Sequence, residues 1–332
     1  MDESFHESWQ ISGAELKDLM VRSDAPALRR FATQYALLLG AAAVIVAGPE
    51  LGWPLWVRLL AGGIFALMVL PMFAVVHESG HYTAFRSRWL DKLVLWLAGV
   101  PMFYTPTGFR EFHFAHHRHT HDPLRDPEIS IGGRAAPSLT AALPNYLLFY
   151  SGFPLMFFKF VLVAAAAIGT ESIWKNLLVY VTPRARKRVC WEARGTMLLY
   201  IAWGVAGVLW LPGLLQLLLA ALLGHSLLMT CLIGEHNGLP HEGDILIRTR
   251  TTLTHPLVRW LMWNMPYHAE HHAYPAVPWH ALPRLHALLK PELQNLEPGY
   301  RNFHRRVLAS LVQGRPFQAD PGSKPVEEPT LV

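Results

Sequence analysis

The sequence predicts an all-α integral membrane protein with four transmembrane helices in two hairpins, interfacial helices and a histidine-rich polar cap. Two observations support this prediction. Of the 332 residues, 52% are hydrophobic and 16% are charged, whereas soluble domains carry about 25% charged residues. The apolar residues also form long runs with few charges at 31–48, 53–76 and 196–234. About 20 such residues in a helix cross a bilayer.

Hydropathy and the positions of proline and glycine divide the chain into seven segments. The transmembrane hairpins occupy 31–76 and 196–235, with turns at residues 48–54 and at Pro212–Gly213. The other segments are a polar lead at 1–30, a histidine-rich segment at 77–142, an interrupted apolar segment and basic loop at 143–195, a polar segment at 236–313 and a tail at 314–332. The tail is rich in proline and glutamate, and we expect it to be disordered.

The histidine clusters constrain the number of membrane crossings. If the clusters form one site they lie on one side, so each apolar segment between them crosses an even number of times. Residues 143–169 are too short for two crossings of about 20 residues each. We therefore expect them, with residues 89–105, to form interfacial or re-entrant helices. Four spans follow, with six as the alternative.

Basic residues lie before the apolar runs, and the net charge of the chain is +5. They are Arg22, Arg29, Arg30, Arg184, Arg186, Lys187, Arg188 and Arg194. The turns at Pro49–Trp53 and Pro212–Gly213 carry no lysine or arginine. The positive-inside rule then predicts that both termini and the histidine clusters are cytoplasmic. Anionic lipid accounts for the basic excess, and no basic stretch is interleaved with aromatics as in a nucleic-acid-binding module.

Nine of the eighteen histidines cluster at the ends of the apolar segments. They are His77, His81, His113, His116, His117, His236, His268, His271 and His272. Spacings of three and four residues place side chains on one helix face, so each cluster is expected to direct its imidazoles at a common point. Imidazole suits iron, copper, zinc or nickel. Zinc sites need only three or four ligands, so nine imidazoles favour two metal ions, and we interpret them as irons.

Five acidic residues lie next to these clusters. They are Glu78, Asp122, Asp126, Glu235 and Glu270. Metal-bound histidines usually donate their second N–H to a carboxylate or carbonyl, which is the role expected here. The alternative is an ordinary interfacial charge or a helix cap. We expect His119 and His121 to support the ligands or lie at the surface, and His225 to line a channel or satisfy a neighbour.

The first cluster also fits a zinc-protease motif. His77, Glu78 and His81 satisfy HExxH, in which two histidines bind zinc and the glutamate is a general base. That interpretation gives the other clusters no role. It also needs a further ligand, often an aspartate near a later helix, and residues 196–234 contain no aspartate. A membrane zinc protease is therefore the remote alternative.

The clusters resemble the three histidine boxes of membrane fatty acid desaturases. The matching strings are HESGH at 77–81, HFAHH at 113–117 and HAEHH at 268–272, within FHFAHHRHTHDPLRDPE and NMPYHAEHHAYPAVPWHALPRLH. The resemblance covers about residues 35–290. It implies four membrane helices, a cytoplasmic cap and a di-iron centre bound by the nine histidines, with His236 as the ligand that follows the last membrane helix.

Details of the boxes narrow the resemblance within the family. The third box begins with His268 rather than the glutamine of front-end members, and the four-residue spacing of the first box is similar to acyl-lipid and sphingolipid members rather than acyl-CoA members. No His-Pro-Gly-Gly string of a fused haem domain occurs. The resemblance thus implies a separate ferredoxin- or cytochrome-type electron donor with its reductase.

The implied activity is O2-dependent desaturation of the alkyl chain of a lipid. An unactivated methylene has no acidic proton for a side-chain base, so its oxidation needs a metal cofactor and oxygen. A hydroxylase or ketolase of the same scaffold, acting on a lipid or carotenoid, is the near alternative. A metal-binding or transport protein is more distant, because transporters place charges along a path and these histidines lie at helix ends.

Overall fold

Four long helices form the frame of residues 11–319, the part of the chain that this computed structural model describes. They are α2 (Asp24–Ala47), α3 (Leu55–His81), α9 (Pro183–Leu209) and α10 (Gly213–His236). Helix α3 packs between α2 and α10, and 67% of its most apolar stretch is buried inside the protein. The largest hydrophobic core lies along these three helices. The predicted all-α architecture is confirmed.

Shorter helices cover the end of the frame where the histidines lie, or run beside it. They are α1 (Gly13–Leu19), α4 (Arg88–Gly99), α5 (Pro106–Arg118), α6 (Leu143–Tyr150), α7 (Phe153–Ile168), α8 (Glu171–Asn176), α11 (Ile245–Arg248), α12 (Pro256–Leu261), α13 (His268–Ala273), α14 (Leu282–Leu289) and α15 (Tyr300–Val312). Two small sheets complete the described residues. Strands β1 (Ser130–Ile131) and β2 (Arg134–Ala135) pair antiparallel, and β3 (Thr251–Thr252) and β4 (Leu296–Glu297) pair parallel.

Three helices of the described chain are long and apolar enough to cross a membrane, namely α2, α3 and α10. A fourth crossing is available if α6 and α7 count together, although they meet at a 65° bend that also suits a re-entrant loop. Gly152 occupies the bend with φ +75°, a backbone conformation that glycine adopts at little cost. The predicted count of four spans agrees with this range.

The first hairpin is longer at both ends than the sequence predicted. Helix α2 begins at Asp24 rather than residue 31, and α3 continues past residue 76 to His81. The boundaries were placed where apolar residues stop, but helices continue into polar segments that keep good helix formers. As a result, the first histidine cluster lies on the last turns of α3.

The second hairpin differs more. Its first helix, α9, begins at Pro183, so the segment predicted as a basic loop is helical. Proline suits the first helical position, and the arginines and lysine that follow favour helix. Only residues 195–209 of α9 are free of charge, which is short for a span. Whether α9 crosses the membrane therefore remains a prediction.

The start of the predicted tail is ordered. The Phe317 side chain is buried beside Phe303, with ring centroids 5.5 Å apart, and its backbone N–H donates to the carbonyl of Thr140. One aromatic residue with a pocket is enough to fix a short segment that composition assigns to disorder. The expected disorder of residues 320–332 lies outside the described residues, as do positions 1–10 of the polar lead.

Candidate metal centre

Four helix segments converge at one end of the frame and bring all nine predicted histidines together. Helix α3 contributes His77 and His81 from its last turns, and α10 contributes His236 from its last residue. Helices α5 and α13 carry the two HxxHH strings. The C-terminal ends of α3 and α10 thus lie at the same place, between the membrane helices and the cap.

The nine imidazoles form two groups rather than one. In each group, one ring nitrogen per residue lies within 4.8 Å of the corresponding atoms of the others. The five-histidine group is His77, His81, His113, His117 and His271, and the four-histidine group is His116, His236, His268 and His272. Each HxxHH string is divided between them, so the expectation that a string serves one point is wrong.

In the five-histidine group the Nε2 atoms face one another at short range. The Nε2 of His113 lies 2.7 Å from that of His81 and 3.1 Å from that of His117. The Nε2 of His271 lies 3.2 Å from that of His117. His81 and His117 are partly exposed and the other three are buried. One edge of this group therefore reaches the protein surface.

The four-histidine group is buried throughout. The Nε2 atoms of His116 and His272 are 3.2 Å apart, and those of His268 and His236 are 2.9 Å apart. The rings of His117 and His272 stack with centroids 4.2 Å apart, which joins the two groups. Two adjacent clusters of inward-facing imidazole nitrogens are the arrangement that two neighbouring metal ions require.

Several Nδ1 atoms have partners on the outside of the cluster, which leaves Nε2 to face inward. The Nδ1 of His116 lies 3.0 Å from both carboxylate oxygens of Asp126. The Nδ1 of His236 lies 2.9 Å from the Arg248 carbonyl oxygen, and that of His272 lies 3.2 Å from Thr120 Oγ1. Outer partners of this kind set the tautomer and orientation of metal-binding histidines.

Burial sets the charge of most of these rings. It lowers the pKa of His113, His117 and His271 well below the usual imidazole value, so these rings are neutral, the form that binds metal. His116 differs. Burial lowers its pKa, but the carboxylates of Asp126 and Glu128 outweigh that effect and raise it to about 9. The hydrogen on the His116 Nδ1 therefore faces the Asp126 carboxylate.

Some buried nitrogens have no hydrogen-bond partner within the described residues. They are both ring nitrogens of His77 and the Nδ1 atoms of His268 and His271. A buried polar atom without a partner is costly. A metal ion would satisfy one ring nitrogen of His77, but not the Nδ1 atoms of His268 and His271, since the Nε2 atoms of these two rings are the ones that face the groups. The donor set, nine clustered imidazoles, therefore fits a pair of transition-metal ions.

The five predicted carboxylates meet different surroundings. Asp126 contacts His116 as described above. Glu78 and Glu235 lie 3.8 Å from ring nitrogens of His77 and His268, too far for a direct hydrogen bond. Glu78 instead accepts from the Thr83 hydroxyl at 2.8 Å and the Trp279 backbone N–H at 3.3 Å.

The other two carboxylates bond away from the nine histidines. Asp122 accepts from the backbone N–H groups of residues 124 and 125 and pairs with the Arg125 guanidinium at 2.6 Å. Glu270 bonds His286 and Thr251. The Asp122 side chain therefore bonds its own turn rather than a histidine. Its proximity in sequence to the histidines did not specify the direction of its side chain.

Sequence reasoning missed three partners of the cluster. Thr120, the Arg248 carbonyl and Glu128, which lies 3.7 Å from His116 Nδ1, had not been identified. A signal for Thr120 existed, because it lies four residues after His116, although α5 itself ends at Arg118. The Arg248 carbonyl had none, since backbone partners leave no residue-type signature.

The remaining histidines have separate environments. The Nδ1 of His121 lies 2.8 Å from the Pro240 carbonyl, and its ring lies 5.9 Å from that of His236, so it packs beside the four-histidine group. His119 ends α5 as its C-terminal cap residue. His225 is buried inside α10, away from both groups, beside Lys159.

Comparison with known proteins identifies the family to which this arrangement belongs. Residues 51–304, most of the chain, match the fatty acid desaturase family. The chain belongs to that family. All four histidine segments lie inside the matched range, and the predicted resemblance to membrane fatty acid desaturases is confirmed. A protease interpretation of HExxH is inconsistent with this membership.

Two curated relatives are sphingolipid desaturases by name. A sphingolipid delta(4)-desaturase of Candida albicans is 24% identical over 229 residues, which are 64% of this chain and 57% of that protein. A sphingolipid delta(4)-desaturase of Drosophila melanogaster is 24% identical over 267 residues, 77% of this chain and 73% of that protein. The chain thus matches less than two thirds of the Candida relative's length.

Proposed function

We propose that this chain is a membrane-bound desaturase that removes two hydrogens from adjacent carbons of a lipid alkyl chain in a reaction that consumes O2. The observation that carries the proposal is the pair of adjacent imidazole groups, one of five and one of four histidines. Membership of the fatty acid desaturase family supports the same reaction. Neither a structural zinc site nor a transport path calls for two histidine clusters side by side.

In this proposal the five-histidine group would hold one iron and the four-histidine group the second. When bound, the iron pair would supply O2 reduction and the cleavage of an unactivated C–H bond, chemistry that side chains alone do not provide. The chain orients the ligands: Asp126 holds His116 by its Nδ1, and Thr120 does the same for His272.

An apolar cavity lies beside the five-histidine group and is an argument for a long-chain substrate. Phe109, which lines the cavity, stacks on the His113 ring with centroids 5.2 Å apart and planes 12° apart. The cavity lies between α5, α7 and α9 and is lined mainly by aromatic and aliphatic side chains. Such walls would exclude water and hold an alkyl chain in a fixed pose, which is how the protein contributes to the reaction.

The substrate class is proposed as an acyl lipid or sphingolipid. The names of both curated relatives support a sphingolipid, and the four-residue spacing of the first histidine pair agrees with them. Electrons would come from a separate ferredoxin- or cytochrome-type donor with its reductase, as the resemblance of the histidine boxes to those of the family implies.

The orientation proposed places the histidines and both termini on the cytoplasmic side. The charged first half of α9 packs against α5, where the Glu192 carboxylate accepts from the backbone N–H and the hydroxyl of Thr107, both at 2.7 Å. The basic residues and the metal centre therefore lie at the same end of the molecule, and the positive-inside rule assigns that end to the cytoplasm.

The deciding experiment is expression with a compatible electron donor, followed by mass spectrometry of the lipids. A product that lacks two hydrogens supports desaturation. A product that gains one oxygen would assign the chain to the hydroxylase or ketolase alternative. Metal analysis of the purified protein is the second test: we expect about two irons per chain, and zinc alone or about one metal per chain would contradict the site.

A further inference from the structure

A lysine and a histidine meet inside the apolar part of the molecule, away from the metal centre. Lys159 of α7 is 3% exposed and His225 of α10 is fully buried. Lys159 carries the one charged side chain among the described residues that line the cavity beside Phe109. Ionisable residues within membrane segments are costly, and they usually mark a functional site.

The hydrogen bonds define which atom donates. The Nδ1 of His225 lies 2.8 Å from the Ala221 carbonyl oxygen, so Nδ1 carries the hydrogen and donates it. The Nε2 of the same ring is then an acceptor. It lies 3.3 Å from the Lys159 Nζ, which therefore donates to it. His225 positions the lysine and leaves it with donors to spare.

The other neighbours of the Lys159 amine are aromatic faces. Its Nζ lies 4.2 Å from the centre of the Tyr104 ring and 5.7 Å from that of Phe73. No carboxylate within the described residues lies within 4 Å of it. An amine has three donors when protonated, and within the described residues only the His225 ring accepts one of them.

We propose that Lys159, held by His225, binds an oxygen of the lipid substrate inside this cavity. The inference rests on the proposed desaturase function, because the ligand is taken to be the alkyl substrate. The chemistry required is an oxygen that accepts a hydrogen bond, either a carboxylate or a hydroxyl. A donor that is buried among apolar walls gains most from such a partner, since an unmade hydrogen bond there is costly.

The position of this site would fix which carbons react. His225 precedes His236 by eleven residues on α10, which is about 16 Å along the axis at 1.5 Å per residue. On the neighbouring helix, Phe73 precedes His77 by one turn, with ring centroids 6.4 Å apart. An oxygen bound at Lys159 would hold the chain at a set distance from the metal centre, so the site would determine the position of the double bond.

The test measures binding to the protein as purified, with its metal, in detergent and without an electron donor. The probes are octadecanoic acid, 1-octadecanol and 1-chlorooctadecane, which share a chain length and differ in their terminal group. We expect the wild type to bind the acid or the alcohol about ten- to hundredfold more tightly than the chloride, the range expected for a hydrogen bond to a charged donor. Whichever of the two is preferred identifies the oxygen as carboxylate or hydroxyl.

Lys159→Met should abolish that preference, and Lys175→Met is the matched control. Lys175 is an exposed lysine on α8, so its loss should leave the preference unchanged. An equal preference in wild type and Lys159→Met would overturn the proposal. A Lys159→Met protein that is less stable but keeps the wild-type preference would also overturn it, because the lysine would then serve only to join α7 to α10.

A second measurement uses the wild type and so does not depend on the variant folding. Octadecanal condenses with an amine to give an imine and water, and cyanoborohydride reduces the imine to a secondary amine. Peptide mass spectrometry should find the alkyl group on Lys159, with protection by the preferred oxygenated probe. Labelling confined to exposed lysines would contradict the site.

The two proposals can fail separately. Binding needs no electron donor, so a protein that shows the preference but forms no desaturated product when a donor is supplied would remove the desaturase proposal alone. A protein that forms the product with no preference among the probes would remove the Lys159 site alone.

Discussion

Replacing Asp126 with asparagine is expected to lower the metal affinity of the four-histidine group by ten- to hundredfold, the usual loss when a carboxylate that orients a ligand is removed. Asp126 is 1% exposed, and both of its oxygens lie 3.0 Å from the His116 Nδ1. Asparagine keeps the volume but loses the charge that holds the Nδ1–H. The loss corresponds to about 1.4–2.7 kcal/mol.

Asp122→Asn is the matched control for that variant. The two aspartates lie four residues apart in one loop, and the sequence assigned them the same role. In the structure, Asp122 bonds Arg125 and backbone N–H groups rather than any of the nine candidate ligands. Its substitution should therefore leave the metal affinity unchanged, apart from a small effect on the loop.

The assay is titration of metal-free protein with ferrous iron under anaerobic conditions, followed by metal analysis and thermal unfolding. Asp126 also accepts from the backbone N–H groups of His121 and Glu128, at 2.7 and 2.9 Å. It therefore has a structural role as well. A variant that unfolds at a lower temperature but binds two irons with wild-type affinity would refute the reasoning, and so would equal losses in Asp126→Asn and Asp122→Asn.

Three further predictions concern the same framework. His268→Ala should abolish product formation while the metal-free variant unfolds near the temperature of the metal-free wild type; full activity would remove α13 from the site. Gly224→Ala should destabilise the protein by about 1–3 kcal/mol, because a Cβ there would lie 2.5 Å from Val69 on α3. Gly204→Ala meets nothing within 4 Å and should leave the stability unchanged or raise it slightly in the same unfolding measurement, since alanine favours helix. Arg250→Met removes the donor to the carbonyls of residues 234 and 237 at the end of α10, so metal content should fall, and unchanged metal content would show that α10 holds its ligand without this arginine.

The histidine positions were predictable because their spacing carries the signal. HxxxH and HxxHH are helical periods, and their places at the ends of apolar runs put them at one depth of the membrane. The structure brings together the same nine residues that the spacing selected. The sequence could not indicate how each string divides, because that depends on how α5 and α13 are rotated against each other, which packing decides.

The boundaries of the elements were less predictable for a different reason. Hydropathy marks the membrane and not the helix, so α2, α3 and α9 all begin or end beyond the apolar runs. The packing of Phe317 was also hidden, since the pocket beside Phe303 exists only after folding. Composition predicts the average behaviour of a segment, and one buried aromatic side chain is enough to override it.

The division of the two HxxHH strings explains why this fold offers two groups side by side. In HxxHH the first and last histidines are four residues apart and differ by about 40° in direction around the helix axis. The histidine between them directly precedes the last one and points about 100° away from it. In α5 the pair joins the five-histidine group and the single residue joins the four-histidine group. In α13 the roles are exchanged. Helix α3 then adds two imidazoles to the first group and α10 adds one to the second.

This arrangement makes each group depend on three separate parts of the chain. No single segment supplies more than two imidazoles to either group. The five-histidine group forms only when α3, α5 and α13 come together, and the four-histidine group only when α5, α10 and α13 do. Metal binding must then favour the folded state, because a ligand that binds only that state stabilises it by an amount that grows with the logarithm of its concentration relative to its Kd. The metal would thus hold the cap to the membrane helices as well as carry out the reaction.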